Sequence, residues 1–114
     1  MSEIITLCDA WAFRRAYRNG KSFVSPELVT YIIKNKQNNL RIGITTGKKI
    51  GKAHLRSRAR RVIRAAFREV IKSSELQKSG FDVIFVARGK TPYIKSTYLA
   101  KVMKEQLIKS SLIK

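Results

Sequence analysis

Residues 47–68 read GKKIGKAHLRSRARRVIRAAFR, and the rest of the chain is organised around them. Just upstream, Leu40, Ile42 and Ile44 alternate with Arg41, Gly43 and Thr45 at the two-residue period of a strand. Past Gly47 and Gly51 the period changes: over residues 54–72, Ala59, Val62, Ile63, Ala66, Phe67 and Val70 recur at helical spacing. A strand, a basic loop and a long helix therefore succeed one another. The next apolar run, residues 81–87, is apolar on both alternating faces, as a strand inside a sheet would be.

Towards the N-terminus, Asp9 is placed to cap a short helix through Ala10, Phe13, Ala16 and Tyr17, with Gly20 as a left-handed stop. A brief strand around Phe23 is broken by Pro26, and residues 28–36 are rich in the β-branched and aromatic residues of a buried strand. Gln37, Asn38 and Asn39 form a polar turn, so residues 28–36 and 40–45 are expected to pair as a hairpin. Beyond residue 72, a polar linker spans 73–80, Thr91 and Pro92 end the strand that follows, and Ser96 caps a last helix. The inner stripe of that helix is Leu99, Val102, Met103 and Leu107. The order is α-β-β-β-α-β-α, an α/β fold (an α+β sandwich) of a small mixed sheet with helices. A length of 114 residues with 44% apolar content supports one core, hence one domain over residues 1–114, with no internal repeat.

Twenty-five Lys and Arg against seven Asp and Glu give a net charge of +18, which repels itself unless a polyanion is the usual partner. The single cysteine, Cys8, allows no internal disulfide and cannot build a Cys/His zinc site with the single His54. No apolar run approaches the roughly 20 residues of a membrane span, and the N-terminus does not read as a signal peptide. The expectation is a cytoplasmic protein with a nucleic-acid partner and no membrane partner.

Lys48, Lys49, Lys52, Arg56, Arg58, Arg60, Arg61, Arg64 and Arg68 fall within the quoted segment with no acid among them. At about 100° per residue, Ser57, Arg60, Arg61, Arg64 and Arg68 share one helix face, and Ala59, Val62, Ala66 and Val70 the opposite one. A merely solvated face usually mixes signs, because like charges four residues apart destabilise a helix. Arginine also outnumbers lysine within the helix, which suits bidentate phosphate contacts and stacking on bases. A nucleotide-hydrolysing P-loop is excluded by spacing: three residues separate Gly47 from Gly51 where four are needed, and Ala53 stands where a hydroxyl should meet magnesium. Exposed amides at the helix start still suit an RNA phosphate.

Phe13 and Tyr17 are four residues apart on the first helix, and Tyr31 shares a strand face with Val29 and Ile33. Aromatics so spaced usually pack in a core, yet beside basic residues they also form platforms on which single-stranded bases stack. Trp11 falls with Arg14, Arg15 and Arg18, favouring cation–π packing or a partner contact over burial. For catalysis the inventory is poor. Glu3, Asp9, Glu27, Glu69, Glu75, Asp82 and Glu105 are all the carboxylates, no two form a recognisable dyad, and His54 has no second histidine to work with. If the chain takes part in catalysis on nucleic acid, the reacting groups and metals come from something else.

These residues resemble the protein subunit of bacterial ribonuclease P over nearly the whole chain. The family's lysine pair and glycine read here as Lys48, Lys49 and Gly51. Its Arg-Asn-Arg core reads as Arg56, Ser57 and Arg58, followed by Arg60, Arg61 and Arg64. Phe13, Tyr17 and Gly20 match a Phe-x-x-x-Tyr/Phe-x-x-Gly pattern, and Ala87 and Arg88 follow an apolar strand. Ser57 departs from the usual asparagine: it keeps a hydroxyl but loses the amide's reach and second donor. The resemblance implies a left-handed crossover between parallel strands, against the usual hand. It further implies that the chain binds a catalytic RNA which, with magnesium held mainly by that RNA, removes the 5′ leader of precursor tRNA, the protein supplying no catalytic residue and no metal site. On that footing Lys48, Lys49, Lys52, Arg56, Ser57, Arg58, Arg60, Arg61, Arg64 and Arg68 meet the catalytic RNA, and Phe13, Tyr17, Tyr31 and Arg88 line a cleft for the leader. The rivals are a structural RNA-binding protein without such a cleft, a helix-turn-helix DNA binder, for which no short recognition helix or dimer surface is evident, and a self-sufficient RNase.

Overall fold

In the computed structural model, which describes residues 4–7, 9–36, 39–74 and 80–113, the chain runs β1 (Ile4–Thr6), α1 (Ala10–Asn19), β2 (Lys21–Val24), β3 (Leu28–Lys34), β4 (Leu40–Thr45), α2 (Ala53–Ser73), β5 (Phe81–Ala87) and α3 (Ser96–Lys109). Single 3-10 turns occupy Lys48–Ile50 and Thr91–Tyr93. From α1 onward this is the expected order; the short β1 precedes it.

The sheet is ordered β1-β4-β5-β3-β2. β5 lies at its centre, parallel to β4 and antiparallel to β3, with Val83, Ile84 and Phe85 fully buried. The expected β3–β4 hairpin is therefore absent. β5 buries side chains on both faces and pairs along both edges, so it is inserted between two strands that are neighbours only in sequence. The hairpin that does form is β2–β3, closed at Pro26 and Glu27 by reciprocal backbone bonds between Ser25 and Leu28. Gln37 and Asn38 of the expected turn, and residues 75–79 of the linker, lie outside the described residues, as does Cys8.

Alternation along the strands sends Leu28 and Ile32, Leu40 and Ile42, and Val83, Phe85 and Ala87 to one face, where they pack on Ala59, Ile63, Ala66 and Val70 of α2 and Leu99, Met103 and Leu107 of α3. Leu112 and Ile113 are buried against the same core, after a turn in which Ser111 takes a positive φ of 65°. α1 covers the other face, through Ala12 and Ala16 against Leu7 and Ile84. Gln106 of α3 is buried: its side-chain amide donates to the Phe23 and Leu28 carbonyls and the Ser25 hydroxyl, and its oxygen accepts from the Thr30 hydroxyl. These bonds fix α3 to the β2–β3 hairpin.

Four local expectations change. Gly20 ends α1 in an extended rather than left-handed conformation (φ −79°). Glycine is needed because a Cβ there would lie 2.6 Å from the Ala16 carbonyl oxygen and 3.0 Å from that of Ile32. Asp9 occupies the N-cap position of α1 without a side-chain capping bond, and Lys95, not Ser96, precedes α3. Asp82 interrupts the apolar run of β5: its fully buried carboxylate accepts two bonds of 2.7 Å from the Arg41 guanidinium and one of 2.8 Å from the Asn35 amide, with Arg15 at 3.8 Å. That hydrogen bonding raises the pKa of Arg41, overcoming the opposing effect of burial.

Candidate nucleic-acid interface

Twenty-one residues of unbroken helix give α2 its amphipathic character. Its buried stripe is Ala59, Ile63, Ala66 and Val70, so the turns between must point outward, and Ser57, Arg58, Arg61, Arg64 and Arg68 are exposed while Arg60 is half-exposed. The face is not flat, however. Arg60, Arg64 and Arg68, one helical turn apart, border a cleft beside β4, whereas Arg58 and Arg61 border an open groove beside the start of α3, with Lys95, Ser96 and Thr97 on its far side. α2 is thus a ridge with a basic flank on each side.

Lys48 and Lys49 are exposed on the 3-10 turn, anchored by the buried Ile50. Gly51 has φ +130°, a conformation that favours glycine, and it reverses the chain into α2. Lys52 takes the N-cap position, no side chain caps the first turn, and no acid stands in it. Positive residues and free amides therefore converge where α2 begins. Arg56 is half-buried and its guanidinium donates to the Gly51 carbonyl at 2.8 Å, tying the loop to the helix. His54 is exposed.

On the opposite face of the sheet, the three aromatics expected from the sequence are brought together. Phe13 and Tyr17 have ring centroids 6.5 Å apart, and Tyr17 meets Tyr31 edge-on at 5.0 Å. Phe13 and Tyr31 are half-buried against the cluster of Leu7, Ala12, Ala16 and Ile84, and Tyr17 is 39% exposed, so the group is partly open to solvent. Two residues missed in the sequence complete it. The phenol of Tyr17 shares a 2.7 Å hydrogen bond with the Thr45 hydroxyl. Gly43 lets the Phe13 ring lie on the sheet, since a Cβ there would sit 2.7 Å from the ring edge. The available signal was a glycine inside a strand pattern, which marks close approach of another group. Arg88 is exposed just beyond β5, where its guanidinium reaches the Ser25 carbonyl at 3.4 Å, so its described contact is with the β2–β3 turn. Trp11 is 53% exposed on the outer side of α1 with Arg14 and Arg18.

Among the described residues no three His, Cys, Asp or Glu side chains come together, and no helix is long and apolar enough to cross a membrane. The ribonuclease P family model matches residues 1–110 of the chain. The chain belongs to the ribonuclease P protein family. The Thermoanaerobacter sp. (strain X514) ribonuclease P protein component is 36% identical over 110 residues, 96% of this chain and 92% of that protein. The Clostridioides difficile (strain 630) ribonuclease P protein component is 47% identical over 76 residues, spanning 67% of this chain and 65% of its relative. The Staphylococcus aureus RNase P protein structure superposes with a TM-score of 0.79 at 25% identity, covering 96% of this chain and 98% of that one. The Thermotoga maritima RNase P protein gives 0.63 at 27% identity, covering 85% and 86%. As in those ribonuclease P proteins, three helices pack on a mixed open sheet.

Proposed function

We propose that this chain acts in tRNA processing as the protein component of a ribonuclease P ribonucleoprotein, binding a catalytic RNA through the ridge of α2 and holding the 5′ leader of precursor tRNA in the cleft between α1 and the sheet. The observation that carries this reading is the placement of the two surfaces: a basic helix whose inner face is core, and a half-exposed aromatic group on the opposite side of the same sheet. Guanidiniums spaced one turn apart suit phosphates of a folded RNA, and Phe13, Tyr17 and Tyr31 suit the exposed bases of a single strand. Bringing a polyanionic leader to a polyanionic catalyst is electrostatically unfavourable, and a domain of +18 between them screens that repulsion. In this reading magnesium and the cleavage chemistry belong to the RNA, the reaction is hydrolytic removal of the leader, and the working compartment is the cytoplasm.

The basic ridge is tested by binding. Arg60→Ala together with Arg64→Ala is expected to leave the fold intact, because neither side chain belongs to the buried stripe. It should weaken binding to a ribonuclease P RNA and flatten the log–log salt dependence by about 0.7 to 0.9 for each phosphate no longer neutralised. A salt series of affinities reads both, and an unchanged slope would show a solvated face. His54→Ala is expected to leave single-turnover cleavage at saturating magnesium within a few-fold of the native rate; a collapse by orders of magnitude with assembly intact would place a general base on the protein.

A further inference from the structure

The cleft beside β4 has a makeup that phosphate binding alone does not explain. It encloses about 390 Å³, within the range of small-molecule sites. Ile42, Ile44 and Phe67 form its apolar floor, and Arg60, Arg64 and Arg68 stand along its rim, with no acidic residue among the described lining. The groove on the other flank of α2 shares the positive charge but has no aromatic lining: Arg58, Arg61 and Lys95 stand with the hydroxyls of Ser96 and Thr97 around the aliphatic Val62, Ala65 and Ile94. Both flanks pair basic residues with apolar ones, but only the cleft beside β4 adds aromatic surface, from Phe67 and Phe85. Ile42, Ile44, Phe67 and Phe85 place that cleft mainly on the face of the sheet away from Phe13, Tyr17 and Tyr31, while Leu7, just past the edge strand β1, also packs with the cluster under α1.

We propose that this cleft receives one unpaired nucleotide of the bound RNA, its base seated on Ile42, Ile44 and Phe67 and its flanking phosphates held by Arg60, Arg64 and Arg68. A simple anion gains nothing from the floor, and an apolar peptide gains nothing from three guanidiniums on one rim. A nucleotide satisfies both, because every base has an apolar face and carries its phosphate one sugar away. The planar guanidiniums can also stack on the exposed edge of the base. Three like charges one turn apart on a helix disfavour each other, and the phosphates remove that repulsion. The inference rests on the chain's being an RNA-binding protein and adds a recess for an extruded base to its ridge.

The test compares adenosine 5′-monophosphate with ribose 5-phosphate at low ionic strength, following isoleucine methyl resonances of the labelled full chain by NMR. The nucleotide is expected to bind at least about tenfold more tightly than the sugar phosphate and to shift the methyls of Ile42 and Ile44. Ile44→Thr, which keeps a β-branched residue in β4, should reduce nucleotide affinity to that of ribose 5-phosphate while leaving the latter unchanged. Equal affinity of the two probes for the native chain overturns the proposal whether or not the variant folds, and so do nucleotide shifts confined to the Tyr17 and Tyr31 side of the sheet. Stimulation of precursor tRNA cleavage by a catalytic RNA, measured on the same preparation, keeps the outcomes separate: stimulation without base-dependent binding removes the recess alone, and base-dependent binding without stimulation removes the ribonuclease P role alone.

Discussion

Asp82→Ala is expected to destabilise the protein by about 3 to 5 kcal/mol, because it leaves the Arg41 guanidinium buried without its partner. Arg41 is 8% exposed and Asp82 fully buried. The bidentate pair, the Asn35 amide and the nearby Arg15 tie β4, β5, the end of β3 and α1 together at one end of the sheet. Small domains have only about 5 to 15 kcal/mol of stability in total, so the single variant should be largely unfolded well below the native melting temperature. The double variant Asp82→Leu with Arg41→Met removes both charges and should recover much of the loss. Urea denaturation followed by circular dichroism measures both. A loss below about 1 kcal/mol in the single variant would mean that the pair behaves like a solvated surface bridge.

Tyr17→Ala carries the second large effect, on binding rather than folding. Its ring lies edge-on to Tyr31 and its hydroxyl meets Thr45, yet it is 39% exposed, so truncation removes a stacking surface without opening the core. Precursor tRNA with a leader of several nucleotides is expected to bind the variant holoenzyme more weakly by about 1 to 3 kcal/mol, while mature tRNA binds almost as before. Melting curves run alongside separate the alternatives. A large fall in melting temperature with equal losses for both tRNAs would return Tyr17 to the core.

What the sequence made legible was local and periodic. α2 announces itself because its apolar positions keep the helical period along its length, and β5 because an apolar run between polar segments needs cover on both faces. The convergence of Phe13, Tyr17 and Tyr31 followed only in part: spacing placed the first two on one helix face, but the meeting with Tyr31 depends on α1 lying across β3. Strand neighbours were not legible. β3 and β4 are separated by a short polar segment that reads as a hairpin turn, yet β5, which follows the whole of α2, lies between them because it can pair on both edges. Long-range polar partners escaped for the same reason. Asp82 meets Arg41 and Gln106 meets Thr30 across 41 and 76 residues, and nothing local marks either pair. The division of the α2 arginines between two flanks likewise depends on what packs on each side of the helix, β4 on one and the start of α3 on the other.

The most direct measurement is cleavage of precursor tRNA by a bacterial ribonuclease P RNA at magnesium concentrations too low for the RNA to act well alone, with and without this chain. Addition of the protein should raise the rate of leader removal, and the stimulation should shrink as salt is added because it depends on neutralising phosphates. A structural RNA-binding protein of equal charge would leave the rate at its RNA-only level, and a self-sufficient nuclease would cut the precursor with no RNA subunit present. Either result would contradict the role assigned to α2 and the aromatic cleft.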